Sequence, residues 1–471
     1  MPAKLYNQIN QYIVYAELTE PMHIGGAKGN KENVLVHPVD MIPFIQASSL
    51  NGAFRAAFKQ SFPKSTTDLF GSPKDGNHDD IIESRIKFSD GNFIKDSIHM
   101  ELRPHLKINA ETGSVMSDSV KGSDRTSGFK FETEYIGAGA ILFFTIYDYG
   151  TSQILEDDKK NLMEVLSELH GESLQIGGEK SDGCGYMKLL HVYYHNYDMT
   201  SINGRNNWKN ESIAIGNEED YQFSDILTEL PETKYGSIKY SVIVNGRTDG
   251  NLLVKSITVD DRATDEHLDA VNIKNSKGEY IIPGSSLKGS IRNRMEMIAR
   301  YLYKDGSQNV IDNCFGTSNE QPDLSHAGNL KFRDTVVGNS LDEQNLNNLA
   351  RVEHRIHINK FTGGVINGAL FSTKPVSGNL SFQIDIVDTQ NPEVSLGLLL
   401  LALRDLQNEE YGFGSGYSIG KGFIHVQEIS IKDHSTETES KITYGKSGND
   451  GKIEDSTDII KMALAALNRK A

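Results

Sequence analysis

The segment GSSLKGSIRNR combines residue types that can hold phosphate groups. Lys288 and Arg292 stand four residues apart, so on a helix they share one face. Together with the free backbone amides at a helix start, they can bind phosphate oxygens. Between Tyr280 and Lys304 the basic residues outnumber the single acidic residue, Glu296. The alternative is a solvated helix surface, where such charges are common.

A related segment, ASSLNGAFR, lies in the first half of the chain. The polar and basic candidates of the two segments are Ser49, Arg55, Ser286, Lys288 and Arg292. We predict that Ser49 and Ser286 also cap the helices that follow, because a serine oxygen accepts hydrogen bonds from free backbone amides. Lys180 and Lys421 add positive charge beside glycine-rich backbone that can approach a ligand closely. The alternative for these stretches is a set of tight turns between strands.

These similarities extend over most of the chain and indicate a duplicated domain. The segment 44–55, FIQASSLNGAFR, aligns without a gap with 281–292, IIPGSSLKGSIR. RIKFSD at 85–90 matches NLKFRD at 329–334, and HLKINAETGSV at 105–115 matches RIHINKFTGGV at 355–365. Because the matches keep one order over so long a distance, they indicate two copies of a domain and not a short solenoid repeat.

Each copy has a mixed pattern of strands and helices. Strands are predicted at 12–18 and 240–245, and helices at 50–60, 157–169, 287–303 and 395–407. The order fits β-α-β-β-α-β, so we expect an α+β protein with two tandem ferredoxin-like domains. The predicted domains are 1–196 and 236–432, joined by a polar linker at 197–235. The charged tail at 433–471 is predicted to be mostly disordered and to end in a short helix.

The composition limits the possible function classes. The chain of 471 residues has a net charge of −16, so any contact with nucleic acid must come from a local basic surface. No segment approaches the roughly 20 apolar residues of a membrane span, and we expect a cytoplasmic protein. The two cysteines, Cys184 and Cys314, are too few for a disulfide scaffold or a four-cysteine zinc site.

The string IIPGSSLKGSIR, followed by CFG and closed by GFGSGYSIGKGF, resembles the RAMP superfamily. More closely, it is similar to the guide-RNA-binding backbone subunits of type III CRISPR effector complexes. The resemblance covers both halves, so two such units are fused in tandem. It implies that the units stack along a guide RNA and that a β-hairpin thumb inserted in each unit interrupts the guide–target duplex. It also implies that an acidic residue cuts the target RNA with a divalent metal.

The resemblance places the cleavage residue in a loop just before the strand that leads into the SSL segment. In the second half this residue is Asp269, which would bind Mg²⁺ or Mn²⁺ or orient a ribose 2′-hydroxyl group. Its counterpart in the first half is Glu32, which is one methylene group longer. Because in-line attack tolerates little displacement, we expect cleavage chiefly in the second half. The neighbours that remain alternatives to Asp269 are Asp260, Asp261 and Asp265.

The matched segments at 105–115 and 355–365 resemble the thumb hairpins. Their candidates for RNA contact are Lys107, Arg355, His357, Lys360 and Phe361. Phe361 can stack on a base or insert between two bases, and packing within the protein is the alternative. His354 and His357 are expected either to face RNA or to be structural.

The leading hypothesis is a backbone subunit that binds guide RNA and other subunits and cleaves target RNA. The first alternative is the same RNA-binding scaffold without cleavage. The second is an endoribonuclease that processes precursor guide RNA, for which His23 in the sequence HIGG is the candidate histidine. An unrelated metabolic enzyme is disfavoured, because GFGSGYSIGKG lacks the spacing of a nucleotide-binding loop.

Overall fold

The structure is a computed structural model with two compact units. It describes residues 6–25, 33–72, 82–106, 108, 117–119, 126–128, 130–211, 215–232, 238–248, 252–256, 268–317, 326–338, 350–387, 390–445 and 451–468. The first unit consists of Met1–Met100, Glu134–Lys180 and Cys184–Gly236. The second unit consists of Glu101–Thr133, Ser181–Gly183 and Ser237–Ala471. Two short segments from the first half of the chain therefore belong to the second unit.

The first half of the chain builds one large antiparallel sheet with helices. Its elements are, in chain order, β1 (Gln8–Leu18), β2 (Phe44–Ile45), α1 (Ala47–Ser61), α2 (Thr66–Phe70), β3 (Ile86–Phe88), β4 (Gly91–Phe93), β5 (Met100–Leu106), β6 (Ser117–Ser119), β7 (Thr126–Gly128), β8 (Lys130–Ile136), β9 (Ile141–Gly150), α3 (Ser152–His170), β10 (Met187–Asp198), α4 (Ile202–Glu211) and β11 (Ser224–Asp225). The sheet has the order β11-β10-β1-β9-β4-β2, and β3 also pairs with β9. Strands β5 and β8 pair separately.

The second half repeats this pattern and extends it. Its elements are β12 (Tyr240–Thr248), β13 (Ala270–Val271), β14 (Ile281–Ile282), α5 (Gly284–Tyr303), α6 (Ser307–Phe315), β15 (Gly316–Thr317), β16 (His326–Ala327), β17 (Leu330–Phe332), β18 (Thr335–Val336), β19 (Glu353–Ile358), β20 (Val365–Lys374), β21 (Asn379–Ile386), α7 (Pro392–Gln407), β22 (Ile424–Asp433), β23 (Thr438–Thr443), β24 (Lys452–Glu454) and α8 (Ile459–Ala466). The main sheet has the order β17-β21-β12-β22-β23-β24. A small sheet, β13-β20-β19, stands apart from it.

The central strands of the two main sheets correspond to one another. They run β10-β1-β9-β3 in the first unit and β22-β12-β21-β17 in the second, and neighbouring strands are antiparallel. In both units a helix lies between the first and second of these strands along the chain, and another lies between the third and fourth. The predicted α+β class is therefore confirmed.

Helices α1 and α5 form where apolar residues recur at intervals of three or four. This spacing places them on one helix face, which packs into the core. The buried residues of this face include Leu50, Phe54 and Phe58 in α1 and Leu287, Ile291 and Met295 in α5. Both helices begin three residues before the predicted start, at Ala47 and Gly284. Within the described residues, no helix is long and apolar enough to cross a membrane.

The predicted serine caps of α1 and α5 are wrong. Ser49 and Ser286 lie inside the first turn, and neither helix has a capping hydrogen bond from the side chain at its N-cap position. Carboxylates from distant loops take that role. Asp90 Oδ1 accepts a hydrogen bond from the Ala47 amide at 2.7 Å, and Asp334 Oδ1 accepts one from the Gly284 amide at 2.9 Å. A carboxylate at a helix start is also favoured by the helix dipole.

The predicted linker and tail are both more ordered than the sequence suggested. The segment 197–235 contains α4 and also β11, which pairs with β10, so it is part of the first unit and not a free linker. The described part of the tail is folded, against the prediction of disorder. Strands β23 and β24 extend the second sheet, and α8 packs on α7 through buried Ile459, Ile460 and Ala463. The predicted short helix at the end of the chain is confirmed.

Candidate functional site

Asp269 lies at the base of a β-hairpin in the second unit. It directly precedes β13, and β13 runs parallel to the end of β20. The Asp269 amide donates to the Ser372 carbonyl at 2.7 Å, and Asp269 Oδ2 accepts from the Ser372 amide at 2.6 Å. The side chain is nevertheless exposed. The hairpin therefore holds one carboxylate oxygen and leaves the carboxylate open to a ligand.

A histidine stands on the other side of the same serine. Strands β19 and β20 are antiparallel, and His354 is directly opposite Ser372. The two side chains share a hydrogen bond of 2.9 Å between Nδ1 and Oγ. His354 is exposed, whereas Ser372 is buried. Asp269, Ser372 and His354 thus form a hydrogen-bonded row across the three strands of the small sheet.

The side chains of this row can be compared with the ligands that a divalent cation requires. A carboxylate oxygen is a suitable ligand for Mg²⁺ or Mn²⁺, but Mg²⁺ takes six ligands in nearly octahedral geometry. No three His, Cys, Asp or Glu side chains lie close enough to hold a metal anywhere in the described ranges. Asp269 therefore has suitable chemistry but too few neighbours to hold a cation by protein ligands alone. Glu32, Asp260, Asp261 and Asp265 lie outside the described residues.

The hairpin of β19 and β20 presents its predicted contact residues to solvent. Arg355, His357 and Lys360 are all exposed, and Phe361 is 100% exposed at the turn. Asn359 Oδ1 accepts hydrogen bonds from the Phe361 and Thr362 amides, at 2.8 and 3.2 Å. These bonds define the turn, so Phe361 does not pack within the protein. Lys107, in the matching segment of the first half, lies outside the described residues.

The first unit has a cleft of about 330 Å³ beside the start of α1. It is lined by Ile24, Gly25, Ser49, Gly52, Ala53, Ala56, Gly177, Gly178 and Lys180. Burial lowers the pKa of the Lys180 ammonium group, which forms no ion pair in the described part of the chain. A half-buried cation without a counter-charge favours an anion in the cleft, because an anion restores the electrostatic stabilisation lost on leaving water. The structure thus brings Ser49 and Lys180 together.

In the second unit the candidate cations are already paired with acids. Lys288 Nζ lies 2.8 Å from Asp182, and buried Lys421 contacts Glu353. Arg292 pairs with Glu296 at 2.8 Å, one turn further along α5. A phosphate group would have to compete with these carboxylates. The predicted basic surface of the second unit is therefore present, but it is neutralised locally.

Arg55 and His23 of the first unit have structural partners. Arg55 donates to the carbonyls of Phe70 and Gly71, at 3.5 and 3.0 Å, and so fixes the end of α2. His23 is buried, and its Nδ1 lies 2.8 Å from the Glu134 carbonyl. These contacts explain both residues without RNA. They also weaken His23 as the histidine of a processing site.

Two glycines of the SSL segments face open space. Gly52 in α1 and Gly289 in α5 are exposed, and a Cβ added at either would meet no described atom within 4 Å beyond its own helix backbone and chain neighbours. Glycine in a helix interior costs about 0.5–1 kcal/mol relative to alanine. Nothing in the described part of the protein requires a glycine at these positions. They are explained if a ligand approaches the helix backbone there.

Comparison with known proteins agrees with the duplication and the two-unit structure. A family model described as RAMP superfamily matches two successive segments, residues 15–188 and 212–425. The chain belongs to the RAMP superfamily. The two matches confirm the predicted family and its two units in tandem.

One similar curated protein is the CRISPR system Cmr endoribonuclease Cmr4 of Pyrococcus furiosus. It is 30% identical over 110 residues, which are 23% of this chain and 33% of that relative. The RAMP chain thus matches about a third of the relative's length.

Sequence reasoning missed two features of these RAMP units. One is the link from Asp269 through Ser372 to His354, which joins residues 103 and 18 positions apart. The other is the capping of α1 and α5 by Asp90 and Asp334. The RIKFSD and NLKFRD match contained a signal for the second feature, because both copies end in the capping aspartate.

Proposed function

We propose that the chain is a guide-RNA-binding backbone subunit of a type III CRISPR ribonucleoprotein. In this proposal it works in the cytoplasm with guide RNA, target RNA and other subunits. It also cleaves target RNA, chiefly at the second RAMP unit. Family membership supports the assignment, as does the partial similarity to a protein named as a Cmr endoribonuclease. The order of the four central strands supports a ferredoxin-like core in each unit.

The observation that carries RNA binding is the open backbone at Gly52 and Gly289. In the first unit this backbone borders the cleft that contains Lys180 and Ser49. A hydroxyl group and a lysine are groups that contact nucleic-acid phosphates without reading sequence. A backbone subunit needs such contacts, since the guide sequence differs from one complex to another.

The hairpin of β19 and β20 supports a thumb that meets the guide–target duplex. Its exposed cations can contact phosphates, and Phe361 can insert between bases at the tip. Base stacking on an aromatic ring tolerates any sequence, because every base has a π-face. The hairpin also contains Ser372, whose amide binds Asp269, so the acidic residue is joined to the element that presents the wedge.

For cleavage, Asp269 is the group best placed to act on a ribose. The Ser372 amide fixes Oδ2, and this leaves Oδ1 to accept the proton of a 2′-hydroxyl group. A divalent cation bound jointly by Asp269, water and the RNA phosphate would neutralise charge on the phosphate. The chain's own contribution is to hold the carboxylate at a fixed place beside the duplex.

The test compares Asp269→Ala and Asp269→Asn with the wild-type protein in a complex assembled with guide RNA. We expect either change to abolish cleavage of target RNA at the positions this unit serves, while guide binding is kept. EDTA should abolish the same cuts if the cation takes part. Glu32→Gln is the matched change in the first unit and should have little effect. Unchanged cuts in the Asp269 variants would reject the cleavage site and leave an RNA-binding scaffold.

A further inference from the structure

We propose that His354 is the proton donor to the leaving 5′-oxygen in the cleavage step. This inference rests on the proposed function, because it needs Asp269 to act on target RNA. It adds a proton-donating general acid to a site for which the sequence indicated only the carboxylate of Asp269. The step then has one group for each of the two proton transfers.

The geometry at Ser372 carries the proposal. Ser372 uses its amide to hold Asp269 and its hydroxyl group to hold His354, at 2.6 and 2.9 Å. A single buried residue therefore sets the positions of two exposed side chains with complementary proton chemistry. Ser372 occupies Nδ1 of the imidazole, while Nε2 has no hydrogen-bond partner among the described residues. This arrangement holds the ring and leaves Nε2 for a ligand.

A histidine suits this role because its side chain gains and loses protons near neutral pH. In the imidazolium form, Nδ1–H donates to Ser372 Oγ, and Nε2–H is available to the RNA. The first half of the chain provides a contrast. In the alignment of 105–115 with 355–365, Pro104 stands at the position of His354. Proline has no side-chain proton to donate, so the first half of the chain has no counterpart of the proposed acid at this position.

The proposed step is balanced in atoms and protons. The ribose 2′-oxygen forms a bond to phosphorus while the bond from phosphorus to the 5′-oxygen breaks. The 2′-hydroxyl proton passes to the Asp269 carboxylate, and the Nε2 proton of His354 passes to the departing 5′-oxygen. The products are a 2′,3′-cyclic phosphate and a 5′-hydroxyl end. Solvent then returns both side chains to their starting protonation states.

The test uses two target RNAs in the assembled complex. One is normal RNA, and the other has a bridging 5′-sulfur at the scissile phosphate, which leaves readily without a proton. His354→Ala should slow cleavage of normal RNA about 10²- to 10⁴-fold, which is the usual contribution of a general acid. The same variant should cleave the sulfur-containing RNA within tenfold of the wild-type rate. Asp269→Ala should be slow on both.

Two further variants separate this role from a structural one. His354→Asn can keep a hydrogen bond to Ser372 but cannot act as an acid, so it should show the same selective loss on normal RNA even if the alanine variant misfolds. His191→Ala removes an exposed histidine of β10, outside the hairpin, and is the control that should cleave both RNAs normally. Equal losses on the two RNAs, or no loss, in the His354 variants would overturn the proposal. Full activity of Asp269→Ala would instead reject the underlying cleavage site.

Discussion

Replacing the two open glycines by alanine should separate protein stability from RNA binding. In Gly52→Ala and Gly289→Ala the new methyl group meets no described residue outside its own helix, and the helix loses a residue of poor propensity. We expect each change to stabilise its unit by about 0.5–1 kcal/mol. For a unit of this size, that corresponds to an increase in Tm of roughly 1–4 °C. Differential scanning calorimetry of the purified protein measures this shift.

The same methyl groups should weaken RNA binding. If a phosphate or ribose lies against the helix backbone, the methyl group pushes it away from the nearby lysine, Lys180 or Lys288, and the loss of one charge-assisted hydrogen bond costs about 1.5–3 kcal/mol. The apparent Kd for guide RNA should therefore increase by about tenfold or more. Fluorescence anisotropy at fixed salt concentration measures the affinity. Higher stability with unchanged affinity would refute an RNA-contact role for these helix faces.

A third glycine provides the matched control. Gly397 also lies within a helix, α7, but a Cβ there would lie 2.5 Å from the Ala463 carbonyl oxygen of α8. Gly397→Ala should therefore destabilise the second unit by about 1–3 kcal/mol, as expected for overpacking. Its RNA affinity, measured well below its Tm, should stay normal. A gain of stability in Gly289→Ala and a loss in Gly397→Ala would support the link between stability and the free space around each glycine.

Two further predictions concern a buried acid and the exposed hairpin tip. Burial and the neighbouring Asp158 raise the pKa of the Asp148 carboxyl from near 3.8 to about 8, and Arg85 opposes this shift. The folded state then binds more protons than the unfolded state between pH 4 and 8, so stability falls as pH rises through this range. Asp148→Asn should flatten that fall in urea titrations at several pH values, and an unchanged slope would contradict the assignment. Phe361→Ala should change the unfolding free energy by less than about 0.5 kcal/mol, because the ring is fully exposed, yet shift or weaken the target cuts. Wild-type cuts in that variant would exclude a wedge role.

Local patterns predicted the parts of the fold that depend on local forces. The apolar spacing in α1 and α5 revealed both helices, because the same spacing buries Leu50 and Leu287. The capping aspartates were missed, since Asp90 and Asp334 lie 43 and 50 residues from the amides that donate hydrogen bonds to them. The tail was misjudged for a related reason. Its average composition is polar, but Ile459 and Ile460 are placed on the one face that α7 covers.

The candidate site shows the same division between local and long-range information. Asp269 was found by its position before the SSL segment, and the hairpin was found by an internal match. The relation of Asp269 to His354 was not found from the sequence, because it exists only after β13, β20 and β19 have paired. A pattern in the sequence cannot indicate which of several acids and histidines share one serine. That assignment requires the register of the strands, which places Ser372 opposite His354.

The two RAMP units have diverged in opposite directions, and this bears on how they would share the work. In the first unit the Lys180 ammonium group lacks an ion pair within the described residues, so an RNA phosphate gains its full attraction. In the second unit a phosphate must displace Glu353 from Lys421 before it gains anything, and the net attraction is smaller. Because the row from Asp269 to His354 is also in the second unit, we infer that the first unit contributes more to guide affinity. Lys180→Ala should then weaken guide binding more than Lys421→Ala does.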